Sequence, residues 1–332
     1  MQIVSFLGGA QGGASPLGSL VGQALRRHRG LLAAVAALVV AALAIHLATG
    51  INFFKATNLL NIARSFSMLG VAAIGQTVVI VGGGLDLSVA EVVSTSNVIA
   101  ATFMAGRDGL LLPVTLLTLA FGAAMGVVNG LLVTRRNVPP FVATLGTSIV
   151  LRGARLMWTK GLPQGRIPAS LKALGTGSTL GVPNLFFVFL FFAIAMVVVL
   201  GHTGYGRRLY VVGTNRAVAI LSGIRADRVV VGSYVVCAAC AALVGVLLGG
   251  YTGMSDQKIG EGYELDSIAV SVLGGAAIGG GSGGVGGTVL GAIIIVVLTN
   301  LSLLMGFPIQ SQMVIKGAVI VLALWINAHR GR

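Results

Sequence analysis

Charge is scarce in this chain. Only 9% of its 332 residues are Asp, Glu, Lys or Arg, against about 25% in a soluble domain, which excludes an ordinary soluble fold. Acids are scarcer still: 8 Asp and Glu, alongside 4 His, offer no clustered catalytic set. The phosphate-loop pattern G-x-x-x-x-G-K-[ST] and the zinc-peptidase pattern H-E-x-x-H do not occur, so neither ATP hydrolysis nor zinc peptidase chemistry is expected of this chain. No catalytic residue and no metal ligand are assigned. Cysteine is limited to Cys237 and Cys240, inside an apolar run. A zinc site wants further ligands and none lie nearby, so small-residue packing is the expected role. No fixed-period repeat is visible.

What is abundant is apolar. The chain is 56% hydrophobic with 50 Gly, and its mean hydropathy is +0.98. This is a polytopic membrane protein, and glycine suits that class because it lets transmembrane helices approach closely. The net charge of +14 points to cytoplasmic loops, which collect Lys and Arg, rather than to nucleic acid. With ~20 apolar residues per crossing, the candidate spans are 31–49, 58–81, 88–105, 111–133, 141–158, 184–201, 229–251, 265–281, 288–304 and 312–328. The expected fold is all-α: a transmembrane helical bundle of about ten spans, including broken or re-entrant glycine-rich segments. Leu265–Gly281 is the weakest span, glycine-rich enough to be a half-helix. Residues 1–28 are expected to form a disordered cytoplasmic tail and 29–330 the transmembrane domain. The basic group Arg26–Arg29 precedes an apolar run too long for a cleavable signal. Starting inside puts the Arg135/Arg136 pair, the 202–228 loop and the C-terminus in the cytoplasm, where paired arginines belong. Trp158 and Trp325 lie near span ends, as belt residues do.

The breaks in the apolar pattern carry the function. His202–Arg228 is the longest basic interruption. Within it a short helix is expected, with Thr214 as N-cap and Gly223 just past the end. Ala217, Ile220, Leu221 and Ile224 would share its apolar face. About 15 Å long, such a helix docks or lies on a surface but does not span. Gly82–Ser88 puts three glycines and Asp86 between two apolar runs. Asp86 either lines a water-filled path or caps the helix that follows, and both readings stand. Glu91 is solvated or paired. Asn137–Phe141 is a proline turn, and Gly274–Gly287 suits close packing and a flexible turn. Half of the acids fall in Asp256–Asp266, on the predicted outer side, a solvated loop or a docking surface.

In this order, these interruptions resemble the ribose-type (monosaccharide) permease family of ABC importers over residues 50–325. The resembling blocks are Gly83–Val89, Asn129–Val133 followed by Val138–Gly146, Gly206–Ile224, and Gly262–Ala269 followed by Gly274-Gly275. The resemblance implies a permease subunit with no cofactor of its own. It would pair with a second permease copy or paralogue in the bacterial inner membrane. An extracytoplasmic binding protein would deliver a monosaccharide or related polyol, and separate ATPase subunits, binding ATP and Mg, would drive transport. Arg207, Arg208, Tyr210, Gly213, Asn215, Ala219, Ser222, Gly223 and Ile224 are then the ATPase-coupling residues, with Ala219, Ser222, Gly223 and Ile224 docking and the arginines at the rim. Asp86, Ser88, Asn97, Thr144 and Ser148 are the translocation-path candidates, and Asp256, Lys258, Glu261 and Glu264 the binding-protein docking candidates. The chain departs from the family pattern at Ala90, Ser282, Gly284 and Leu301.

The rival readings are the related branched-chain amino acid and nucleoside permeases, a proton-coupled carrier and an intramembrane enzyme. A carrier would need titratable groups midway across, for which Asp86 and Glu91 are the near candidates. An enzyme would need a catalytic cluster.

Overall fold

Glycine decides which helices pack most closely. Along the helix Leu111–Arg135 (α4), Gly122, Gly126 and Gly130 recur every fourth residue and form one bare stripe. The helix Ala226–Thr252 (α10) lies directly against that stripe. A Cβ on Gly126 would sit 2.5 Å from the Val235 Cα, and one on Gly130 2.7 Å from the Val231 Cα. Such a stripe lets two backbones pack with no side chain between them. Gly126→Leu is therefore expected to destabilise the fold by about 1–3 kcal/mol or more, read as a lower melting temperature in detergent. Gly146→Leu is the control, since a Cβ there meets nothing within 4 Å. Equal melting of the two variants would rule out the stripe as a packing device.

The computed structural model describes residues 29–50 and 52–330; the predicted tail, residues 1–28, lies outside them. Helices overlie every predicted span. They are α1 (Arg29–Thr49), α2 (Ala56–Val81), α3 (Val89–Met104), α4, α5 (Pro140–Thr159), α7 (Asn184–His202), α10, α11 (Tyr263–Leu273), α12 (Val285–Leu304) and α13 (Ile309–Arg330). Among the described residues, 6 helices are long and apolar enough to cross a membrane. The fold is thus all-α and polytopic. α11, with 11 residues, is about 16 Å long and covers half of a ~30 Å bilayer core. Over the predicted 265–281 segment the helix is thus short, and it ends at Leu273 before the glycines begin. α2 and α10 form the interior: 89% and 67% of their apolar windows are buried, against 22% for α4 and 28% for α7. The exposed flanks of α4, α5 and α7 present Leu116, Ile149 and Phe191 outward, as helices facing lipid or a partner do.

Two regions differ from expectation. Between α5 and α7 a short helix, α6 (Ala169–Thr176), and a two-residue hairpin (Ser178–Thr179 with Val182–Pro183) fold over one end of the bundle. Asp108 fastens this cover by accepting from the Ser170 hydroxyl (2.6 Å) and amide (2.9 Å). Those two bonds hold its carboxyl below the usual carboxylate range. The basic interruption is also more ordered than a loop with one short helix. It contains α8 (Gly204–Thr214) and α9 (Arg216–Leu221), at the other end of the bundle.

Candidate coupling and translocation sites

α8 begins at Thr203, whose hydroxyl accepts from the Gly206 amide at 3.2 Å. Thr214 is the last residue of this helix, so it cannot cap the next one. Asn215 does so instead, in an extended conformation, with its side-chain oxygen accepting from Val218 N at 3.1 Å. The cap therefore sits one residue later than expected, because α8 continues through Thr214. At the far end the expectation of Gly223 holds: it adopts φ +77°, and Gly223 N and Ile224 N donate to Ile220 O and Ala219 O. That paired closure is a Schellman motif.

The apolar face expected of α9 is open at Ala217, Ile220 and Leu221, but Ala219, expected to dock, turns inward. Ala219 is fully buried, as the inward anchor, while Val218, Ile220 and Leu221 are exposed, Leu221 at 88%. Ala217, Ser222 and Gly223 are exposed and Ile224 is half-buried. A six-residue helix thus holds three large apolar side chains in the open. Arg207, Arg208 and Asn215 surround it, also exposed, and Arg216 pairs with Asp227 at 2.6 Å on the surface.

α8 is fastened to the two glycine-rich breaks. Tyr210 donates through its hydroxyl to Gly283 O at 3.0 Å. Gly213 passes so close to the end of α2 that a Cβ would overlap the Val81 carbonyl oxygen. That same carbonyl accepts from Gly281 N at 2.9 Å. A cavity of about 400 Å³ lies where these pieces meet, walled by Gly83, Asn137, Pro140, Thr214, Arg216 and Gly279. Gly280-Gly281-Ser282-Gly283-Gly284 has the G-x-S-x-G spacing of a hydrolase nucleophile turn, but such a turn follows a strand. Here it follows α11 and a glycine loop.

Asp86 lies in the break between α2 and α3 and is fully buried. Its Oδ1 accepts from the Ser88 amide (2.9 Å) and hydroxyl (2.5 Å). Asn129 of α4 donates to the same Ser88 hydroxyl at 2.9 Å. Gln76 brackets Asp86 from α2; with its amide turned to satisfy both groups it donates to Asp86 O (3.2 Å) and accepts from Asp86 N (3.1 Å). Tyr234 of α10 donates to Leu85 O at 3.3 Å. Thr144 accepts from Leu87 N at 3.1 Å. Asp86, Ser88 and Thr144 therefore come together as one buried polar knot that fixes the break. The capping contact is made, and no part of Asp86 is exposed in this conformation. Asp86 Oδ2 and Asn129 Oδ1 are buried without a partner.

Asn97 sits elsewhere: its Nδ2 donates to Gly245 O (3.3 Å) and its Oδ1 accepts from Asp256 N (2.9 Å). It ties α3, α10 and the acidic loop together. Ser148 is half-buried on α5, apart from these contacts. In the acidic loop Asp256, Lys258 and Glu261 are exposed and Glu264 is half-buried. Asp256 accepts from Lys258 N, and Glu264 from Gly262 N.

The loop's anchor was not singled out from the sequence. Gln257 points inward and donates to Thr159 Oγ1 and Leu162 O, both at 3.0 Å. Its Oε1 accepts from Arg155 Nε at 3.1 Å. Arg155 in turn pairs with Glu91 at 2.6 Å, the two side chains being 3% and 15% exposed, and donates to Thr95 at 3.1 Å. Glu91 is thus paired. The available signal was an acid and a base in two apolar spans, each too costly to leave alone. Among the described residues, no three His, Cys, Asp or Glu side chains gather as a metal site would require.

Membrane-length helices, a short helix with open apolar side chains at one end and an anchored acidic loop at the other define a polytopic membrane protein. Residues 58–324 match the family described as "Branched-chain amino acid transport system / permease component". The chain is 35% identical over 280 residues to the ribose import permease protein RbsC of Escherichia coli, covering 83% of this chain and 87% of the relative. It is 36% identical over 282 residues to that of Bacillus subtilis, at 84% and 87% coverage. The autoinducer 2 import system permease protein LsrC of Yersinia enterocolitica is 32% identical over 270 residues, covering 81% and 75%. No solved structure matches the chain. The chain belongs to this ABC-importer permease family.

Proposed function

We propose that this chain is the membrane-spanning half of a permease pair that imports a monosaccharide or related polyol across the bacterial inner membrane. The carrying observation is the match to ribose import permeases along most of both chains. In this reading the α8–α9 end faces the cytoplasm. The open Val218, Ile220 and Leu221 side chains enter a cleft of an ATPase subunit that binds ATP and Mg. Arg207, Arg208 and Asn215 touch the rim of that cleft, while Ala219 and Gly223 shape the helix. Tyr210 and Gly213 pass its movement to the breaks at Gly82–Ser88 and Gly279–Gly284, the first of which holds Asp86 and is bonded to Thr144. The acidic loop, with Asp256, Lys258, Glu261 and Glu264, faces outward to receive the binding protein. Ten crossings put both termini inside, and residues 29–330 form one permease domain.

The family's description favours a second reading, import of a branched-chain amino acid. One experiment separates the two. This permease, its ATPase and its cognate binding protein are reconstituted in proteoliposomes and offered labelled D-ribose, D-xylose, D-galactose, ribitol, autoinducer 2 and L-leucine. ATP-dependent uptake of a sugar or polyol is the expected result. Uptake of leucine alone would replace this reading with the second.

A further inference from the structure

The bundle holds a second polar cluster, at the end of the helices that carries the acidic loop. Asn58 of α2 and Asn300 of α12 exchange amide hydrogen bonds in both directions, at 3.0 and 2.8 Å. Nearby, Lys316 of α13 pairs with Asp266 of α11 at 2.8 Å. Both pairs line a cavity of about 360 Å³, with Asn61 and Ser65 on one wall. The volume is within the roughly 300–1,000 Å³ of small-molecule sites. Tyr251 and Tyr263 contribute rings, and Leu69 and Ile295 an apolar floor.

Stability explains this cluster poorly. Interhelical hydrogen bonds contribute little in a membrane, because the unfolded chain also finds partners there. Ionisable side chains in a span are costly and ordinarily mark a path. The chemistry also selects a ligand class. The ion pair cancels its own charge, so the cavity does not call for an ion. The paired amides present donors and acceptors together, which suits hydroxyl groups that do both, and the tyrosine rings offer flat apolar faces to a sugar's C–H side. A zwitterion would first have to pull Lys316 from Asp266.

The geometry points to this cavity, between α2, α11, α12 and α13, as a station for a neutral polyhydroxylated ligand on the outer half of the translocation path. The inference rests on the import reading above and moves the path away from Asn97, Thr144 and Ser148.

Thiol modification tests it after folding is complete. The native thiols Cys237 and Cys240 are buried, at 1% and 2% exposure, so an introduced one reports alone. Ser65→Cys, at an exposed position on the cavity wall, is reconstituted as above and treated from outside with an impermeant methanethiosulfonate. Each variant's unmodified uptake is its own reference. Modification is expected to cut sugar uptake about tenfold, the effect of losing one well-made polar contact, while binding-protein-stimulated ATP hydrolysis continues. The transported sugar should slow the reaction and leucine should not. Leu303→Cys, on the same cavity with 63% exposure, repeats the measurement where Ser65→Cys is poorly produced. No reaction at either position, or full reaction with uptake unchanged, overturns the proposal. Protection by leucine instead of sugar overturns the ligand class. If the unmodified parent takes up no sugar or polyol, the import reading itself has failed, and that is seen before any thiol is introduced.

Discussion

Leu221→Glu is expected to lower ATP-driven uptake about a hundredfold, as loss of an interface hot spot does, while the protein inserts and melts like the parent. Leu221 is 88% exposed, so a carboxylate there disturbs nothing inside this chain. Its cost arises only when the helix docks and the charge is driven into an apolar cleft without a partner. Leu221→Met, similar in volume and apolarity, should retain most of the uptake. ATPase co-purification and uptake are read together, because a docking defect lowers both. Uptake within about twofold of the parent, below the effect of even a weak hot spot, would sink the assignment of α9 as the coupling element. The more obvious target, Ala219→Glu, is less informative. Ala219 is fully buried, so that variant would confuse misfolding with uncoupling.

The distinction between Leu221 and Ala219 shows how far the sequence could be read. The spans were legible because an apolar run of crossing length has few alternatives, and Gly82–Ser88 and Gly274–Gly287 were legible as breaks. That the two breaks meet was not. The bond from Gly281 N to Val81 O joins positions with no periodic or compositional link. α8 was concealed for a local reason. Tyr205, Leu209 and Val212 have helical spacing, but Gly204, Gly206 and Gly213 between and beside them read as loop. Two of those glycines are there for close approach: a Cβ on Gly206 or Gly213 would overlap the backbone of Leu200 or Val81. On α9 the apolar face was legible but the place of Ala219 was not, since residue type alone does not say which side meets the bundle. The small Ala219 turns inward where space is short, and the large residues remain outside. The ligand-path candidates suffered similarly. Asn97 and Thr144 are polar residues in spans, yet their bonds are to backbone groups that hold breaks and loops in place.

Arg155→Ala is expected to be the most damaging single change at the acidic-loop end. It leaves the Glu91 carboxylate, 15% exposed, without its cation, and removes the donor that holds Gln257 Oε1. Breaking a buried pair from one side typically costs about 3–5 kcal/mol, most of it from the charge left behind. The double variant Glu91→Gln/Arg155→Met removes both charges and keeps similar volumes, so it should be more stable than the single one. That ordering sets an orphaned charge apart from simple loss of packing, which would make the double variant at least as damaged. Melting in detergent gives the order, and limited proteolysis between Thr252 and Tyr263 shows whether the loop has come free with Gln257. If Arg155→Ala melts with the parent, the pair is not what holds the loop. If the single variant is destabilised and the double one restores stability but not uptake, then the pair does more than anchor. It would then set the position at which Asp256, Lys258 and Glu261 meet the binding protein, by fixing Gln257 in the middle of the same short segment.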